Sequence, residues 1–135
     1  MTQDKVDRYR KQLKEIFDFM VENGYTKKPY PKVILDDSKQ DSDLLCYTGY
    51  FDPNKNAIRL FTNNRLFKDV LRTWCHELIH WSQQISGTID KSGYTSDKIT
   101  EDKNLVKLEA EAYLKGNFAF RSYTEMLQKK NKEMK

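Results

Sequence analysis

The two histidines of this chain are the residues whose type and spacing point most directly to chemistry. They are His76 and His80, separated by Glu77 and two apolar residues. On an α-helix, residues four apart lie on one face, one turn from each other, so both imidazoles can reach a single tetrahedral Zn²⁺. Glu77 would flank the metal, where its carboxylate can take a proton from the attacking water. The pattern predicts a zinc site with a general base; two solvated histidines on a surface helix are the alternative.

The residues around the histidines favour a helix. From Asn63 onward, apolar residues recur at helical spacing and form one stripe that faces the core. These residues are Phe67, Val70, Leu71, Trp74, Leu78, Trp81 and Ile85. His76 and His80 lie on roughly the opposite side of this helix. Other polar residues on that side are Asp69, Thr73 and Gln83. We therefore expect the histidines to point away from the core, toward water or a cleft. A catalytic metal needs that access, because one of its coordination positions must stay open.

A third protein ligand must be a carboxylate or a thiolate, because the sequence contains no third histidine. A second predicted helix carries Glu109 and Glu111. Glu109 shares its face with Leu105, Ala112, Tyr113, Phe120, Tyr123 and Leu127. A carboxylate on an apolar face is costly unless it is paired or binds a metal. Glu111 lies between Lys107 and Lys115, where a solvated ion pair is expected. We predict Glu109 as the third ligand; Glu111 as the ligand, or a half-buried Glu109 paired with a tyrosine or lysine, are the alternatives.

The two cysteines, Cys46 and Cys75, are too few for a disulfide framework, and we interpret them as reduced, mostly structural thiols. Cys75 directly precedes His76 but points about 100° away from it around the helix, which makes it a poor ligand for the same ion. Cys46 lies in a predicted strand whose facing the sequence does not fix. It therefore stays open as a ligand.

Taken together, these residues resemble a very small gluzincin, the metallopeptidase group with a His-Glu-x-x-His helix and a glutamate ligand on a following helix. The resemblance covers about residues 30 to 127. The Glu109-x-x-Ala112 step is similar to the Glu-x-x-Ala-Asp or Glu-x-x-Ala-Asn stretch of several such families, in which the first glutamate binds zinc. Here Tyr113 replaces the acid or amide, so the usual partner of a ligand histidine is missing from that position. The chain also resembles small zincin-like proteins of phages and plasmids and the peptidase-like domain of some antirestriction proteins.

The resemblance implies a zinc-dependent metallopeptidase with Zn²⁺ as cofactor and a peptide or protein as substrate. A non-catalytic or latent zincin-fold protein that binds or regulates a partner, for example in antirestriction, is the alternative, with a mainly structural zinc. Gluzincins often use a tyrosine or histidine to donate a hydrogen bond to the transition-state oxyanion. Tyr94 and Tyr113 are the candidates here, with Tyr123 as a rival. Tyr94 as an aromatic residue packed on the loop surface is the alternative for that residue.

The sequence predicts one α+β domain with zincin-like architecture, because a chain of this length can bury one modest core. The predicted elements are a scaffold helix (1–24), a three-stranded sheet (30–62), the active-site helix (63–86), a loop (87–104) and a glutamate-bearing backing helix (105–130). In zincins, the strand before the active-site helix often rims the cleft and can pair with an extended substrate. Asn56 to Leu60 is therefore a candidate edge strand; an ordinary strand without substrate contact is an equal alternative.

Composition and charge narrow the expected partners and location. The net charge is +4, with 33 % charged residues spread along the chain, so no basic stripe indicates nucleic-acid binding. Low hydropathy argues against a membrane span. The N-terminal residues contain no apolar secretion core, so we expect a cytoplasmic location. We also expect a monomer.

Overall fold

The computed structural model describes residues 1–39, 48–87 and 103–133. This part of the chain has an α+β fold with three helices and a three-stranded mixed sheet, which confirms the coarse fold class predicted from the sequence. The elements are α1 (Gln3–Glu22), β1 (Lys32–Asp36), β2 (Gly49–Asp52), β3 (Ala57–Phe61), α2 (Phe67–Ile85) and α3 (Lys103–Glu133). None of the described helices combines the length and the apolar character needed to cross a membrane.

Strand β3 lies in the middle of the sheet, parallel to β1 on one side and antiparallel to β2 on the other. The prediction that Asn56 to Leu60 forms an edge strand is therefore wrong. A tight turn joins β2 to β3, in which the Asp52 carboxylate accepts hydrogen bonds from the backbone of Asn54 and Lys55 at 3.0 and 3.3 Å. Because β1 then adds to the far side of β3, β2 becomes an outer strand of the described sheet.

Helix α1 supplies one wall of the core. The Thr2 side chain caps its N-terminus by accepting a hydrogen bond from the Lys5 backbone N–H at 3.3 Å. The apolar stripe on α1 is buried and consists of Tyr9, Leu13, Ile16, Phe17 and Met20. The Trp74 indole donates to the Leu13 carbonyl at 3.0 Å, so a hydrogen bond as well as apolar packing connects α1 to α2.

Helix α2 runs through the centre of the fold, with contacts to α1, β2, β3 and α3. It begins at Phe67 rather than at the predicted residue 63, because Asn64 has a φ of 57° that cannot continue a right-handed helix. The Trp81 indole of α2 donates a hydrogen bond to the Pro29 carbonyl at 2.8 Å, and the Thr26 hydroxyl donates one to the Leu78 carbonyl of α2 at 2.7 Å. These contacts fix the helix that carries both histidines.

Helices α2 and α3 approach each other closely at a glycine. A Cβ added to Gly116 would lie 2.9 Å from the His76 Cα and 3.1 Å from the His76 backbone nitrogen. One turn to either side of Gly116, α3 presents Ala112 and Ala119, both fully buried. Small residues at this crossing allow the backbone of α3 to lie directly against the histidine-bearing part of α2.

Candidate metal centre

Three side chains from two helices converge at one point. The Nε2 atom of His76 lies 2.8 Å from one Glu109 carboxylate oxygen, and the Nε2 atom of His80 lies 3.1 Å from the other. One ligand atom from each residue lies within 4.8 Å of the other two, close enough for all three to contact one cation. The structure thus brings together the three residues that the sequence singled out as ligands. The identity of the metal stays a prediction.

The rotation of α3 separates its two candidate glutamates. Glu109 turns toward the histidines and its side chain is 20 % exposed. Glu111 is 42 % exposed and lies 3.7 Å from the Lys115 ammonium, which agrees with the expected surface ion pair. It is not wholly in water, however, because it also accepts a hydrogen bond from Gln83 Nε2 at 3.2 Å. Glu111 therefore lies next to the site, but it is not one of the three residues that form the cluster.

The histidine side of α2 is less open than the sequence suggested. His80 is 1 % exposed and does not line the cleft, so the expectation that the histidines point toward water or a cleft is wrong for His80. Gln83, on the same side of the helix, is 3 % exposed. The reason is that α3 packs over this side of α2: Gly116 lies against the His76 backbone, and Gln83 donates to the carbonyl of Leu108. The His76 side chain, at 16 % exposure, keeps an opening toward a cleft.

Gln83 holds His80 in one orientation. Its Oε1 atom lies 2.8 Å from His80 Nδ1, and because an amide oxygen can only accept, the imidazole carries its proton on Nδ1. The other ring nitrogen, Nε2, is then directed toward Glu109 and is unprotonated, as a metal ligand would have to be. Gln83 Nε2 also donates to the carbonyl of Leu108 at 2.9 Å, next to Glu109 in the chain. Gln83 therefore ties His80 to the helix that carries Glu109.

Sequence reasoning missed this role of Gln83. The family resemblance places the usual supporting acid or amide at position 113 of α3, where the chain has Tyr113. The structure instead supplies the partner from α2, three residues after His80. Residues three apart on a helix are neighbours, so this spacing was the available signal.

The electrostatics of the cluster suit a cation. Burial alone would lower the pKa of His80, but the hydrogen bond and negative charge of Glu109, together with the charge of Glu77, outweigh it and raise that pKa. The groups that favour a proton on this imidazole would also favour a metal ion beside it.

Glu77 lies in a buried position beside the cluster. It is 6 % exposed, and burial raises the pKa of its carboxyl group above the usual range, while His80 and His76 oppose that shift. A general base works best when its pKa is closer to neutral pH than that of an exposed carboxylate. The surroundings of Glu77 therefore fit the role that the sequence assigned to it.

A cleft of about 390 Å³ opens beside the cluster and is lined in part by His76, Glu77 and Glu109. The other lining residues are Thr48 and Gly49 at the start of β2, Arg72 and Thr73 from α2, and Tyr113 and Asn117 from α3. His76, Glu77 and Glu109 therefore line a cleft that a ligand can enter, between the outer strand β2 and the two helices.

The structure places Tyr113 and Tyr123, two of the candidate oxyanion donors, in different surroundings. Tyr113 lies at the cleft, 61 % exposed, with its ring centroid 4.4 Å from that of His76. Tyr123 is 3 % exposed, and its hydroxyl bonds with Gln12 and, at 3.5 Å, with Glu15 of α1. Burial raises the pKa of Tyr123 to about 12. The suggestion of Tyr123 as a rival donor is wrong, because α3 carries it roughly 20 Å along the helix from Glu109.

Three further sequence predictions concern the cysteines and the loop. Cys75 is fully buried, and burial raises the pKa of its thiol, which agrees with a structural rather than a ligand role. Cys46 and Tyr94 lie outside the described residues.

Comparison of the chain with protein-family models, with curated proteins and with solved structures gives no match. Function has to be inferred from the site itself.

Proposed function

We propose that this chain is a zinc-dependent metallopeptidase of the gluzincin type. The observation that carries the proposal is the convergence of His76, His80 and Glu109 at one point, next to Glu77 and to the cleft that His76, Glu77 and Glu109 line. Two imidazole nitrogens and one carboxylate oxygen are a donor set that catalytic zinc sites use, with the fourth position left for water or substrate. The residues present therefore fit a catalytic zinc.

The protein residues divide the reaction between them. When bound, zinc lowers the pKa of water and polarises a peptide carbonyl. The Glu77 carboxylate accepts the proton of the attacking water and passes it to the leaving amine. Tyr113 lies beside His76 at the cleft and donates a hydrogen bond to the developing oxyanion; Tyr94 remains the second candidate from the sequence.

The position of β2 supports a peptide as the substrate. This strand lies at the outside of the described sheet, and its first residue, Gly49, lines the cleft. An extended peptide can pair with such a strand through main-chain hydrogen bonds. In this proposal, β2 therefore takes the substrate-binding role that the sequence assigned to Asn56 to Leu60.

A structural zinc in a regulatory protein is supported less well. Structural zinc sites are closed by four protein ligands. Within residues 1–39, 48–87 and 103–133, the metal-binding group comprises only His76, His80 and Glu109. Glu77 beside such a group would serve no purpose in a purely structural site.

The experiment that tests the proposal combines metal content with one substitution. Protein purified without added metal should contain about one zinc per chain. Glu77→Gln should keep that zinc, because the amide preserves the shape, while peptide hydrolysis falls by roughly 10²–10⁴-fold. Glu125→Gln makes the same chemical change at an exposed position on α3 and should leave activity unchanged.

Three results would count against the proposal. A chain that takes up no zinc from micromolar solution has no metal centre, and a Glu77→Gln variant with full activity removes Glu77 from the mechanism. A zinc-loaded wild type that cleaves nothing in broad peptide libraries would favour the latent or regulatory alternative.

A further inference from the structure

The cleft beside the metal centre contains a cation that the proposed mechanism does not use. Arg72 lies on α2 one turn before His76 and lines the cleft with it. Because Arg72 and His76 are four residues apart on the helix, their Cα atoms lie about 6 Å apart along its axis. A substrate held at the metal centre would therefore extend past this guanidinium.

Among the residues that the structure describes, Arg72 is held in place without a strong charge partner. Its guanidinium lies over the Phe120 ring, 5.4 Å from the centroid, and Phe120 is 5 % exposed. Its ion pair with Asp69 is long, at 3.4 Å, and both side chains are about half exposed. Such surface pairs contribute little to stability. The aromatic ring therefore positions the guanidinium, while its donors are available at low cost to a ligand.

The charges around the cleft favour an anionic ligand near Arg72. Among the lining residues that the structure describes, Arg72 is the one lysine or arginine. The two acidic lining residues, Glu77 and Glu109, belong to the metal centre. With a divalent cation bound there, this side of the cleft attracts negative charge.

We propose that Arg72 binds a carboxylate of the substrate and so makes the enzyme selective for peptides that present a carboxylate close to the scissile bond. This inference rests on the proposed peptidase function. An extended peptide advances about 3.3–3.6 Å per residue, so the carboxylate belongs to a position within about two residues of the scissile bond. Guanidinium binds carboxylate through paired N–H donors. The carboxylate is either the side chain of an aspartate or glutamate or the free C-terminus of the peptide.

Peptide hydroxamates test the inference by equilibrium binding, independently of turnover. The hydroxamate fixes the peptide register on the metal. In one series, the peptides are amidated at the C-terminus. Each peptide carries glutamate in place of glutamine at one of the two positions on either side of the metal-binding hydroxamate. In a second series, neutral peptides of varied length end in a free carboxylate or an amide. One of the two series should contain the carboxylate that Arg72 binds. In that series, the tightest-binding peptide with a carboxylate should bind zinc-loaded protein about five- to tenfold more tightly than its neutral twin, the same peptide with an amide in place of that carboxylate.

The control is a second arginine in a similar setting. Arg72→Gln should abolish the preference for the acidic peptide while leaving the affinity for the neutral twin unchanged. Arg8 also lies over an aromatic ring, 4.3 Å from the Phe67 centroid, but does not line the cleft. Arg8→Gln makes the same charge change and should keep the preference.

The outcomes separate the two proposals. Equal binding of acidic and neutral hydroxamates at every position and end overturns the role of Arg72 while leaving the peptidase proposal in place. A preference that survives Arg72→Gln, or that Arg8→Gln removes equally, also overturns it. If no zinc is taken up and no hydroxamate binds, the proposed function fails, and the role of Arg72 fails with it.

Discussion

Replacing Gly116 with alanine should weaken zinc binding, although the residue touches no metal. Gly116 lies seven residues, or two turns, after Glu109 on α3, against the backbone of His76. The added methyl group would lie 2.9 Å from the His76 Cα, whereas carbon atoms pack best at about 3.5–4.0 Å. The two helices must therefore move apart by about 0.6–1 Å. Metal–ligand distances tolerate only about 0.2 Å, so the glutamate and histidine ligands lose their common geometry.

The expected magnitudes follow from the size of this displacement. Overpacking costs about 1–3 kcal/mol, while replacing glycine by alanine inside a helix returns about 1 kcal/mol. The net loss in the free energy of unfolding should therefore be about 0–2 kcal/mol. Zinc affinity should fall by at least about tenfold, comparable to losing a group that supports a ligand. Competition with a chromogenic chelator measures the affinity, and urea unfolding in the presence of chelator measures stability without metal.

Gly24→Ala provides the matched control. Gly24 lies two residues after the end of α1 with a φ of 79°, and an added Cβ there would meet nothing within 4 Å. The substitution should cost about 1 kcal/mol of stability through backbone strain, but it should leave zinc affinity unchanged. If Gly116→Ala binds zinc as tightly as the wild type, or if both variants lose affinity equally, then the close helix crossing does not set the ligand geometry.

The other predictions concern the ligands and their support. Glu109→Ala should weaken zinc binding by at least about tenfold, whereas Glu111→Ala should leave the metal in place and shift stability by no more than about 0.5 kcal/mol. The reverse pattern in zinc titrations would mean that Glu111 is the ligand. Gln83→Leu should reduce zinc affinity about 10- to 100-fold, because His80 loses the acceptor that fixes its ring; unchanged affinity would show that packing alone orients the imidazole.

The parts of the site that follow from helical periodicity could be predicted from the sequence. The histidine spacing requires only that α2 be helical, and the phase of the apolar residues on α3 was enough to turn Glu109 rather than Glu111 toward the histidines. Tyr123 shows the limit of arguments from phase. It shares the angular position of Glu109 but bonds to α1, since distance along the helix matters as much as rotation.

The parts that depend on contacts between distant elements could not be predicted. The order of the strands is set by which strand pairs with β3, and nothing in the pattern of Ala57–Phe61 distinguishes a central strand from an outer one. The burial of His80 and Gln83 depends on α3 covering a polar side of α2. An apolar stripe identifies one buried side of a helix, but it does not reveal that a second, polar side is buried as well.

The most direct test of the account is anomalous diffraction at the zinc edge from crystals of the zinc-loaded protein. We predict one zinc about 2.0–2.2 Å from the Nε2 atoms of His76 and His80 and from a Glu109 oxygen. The fourth position should hold a solvent molecule, and Glu77 should lie outside the coordination sphere near that molecule. Zinc bound elsewhere, or a fourth protein ligand that closes the site, would contradict a catalytic metal centre in this chain.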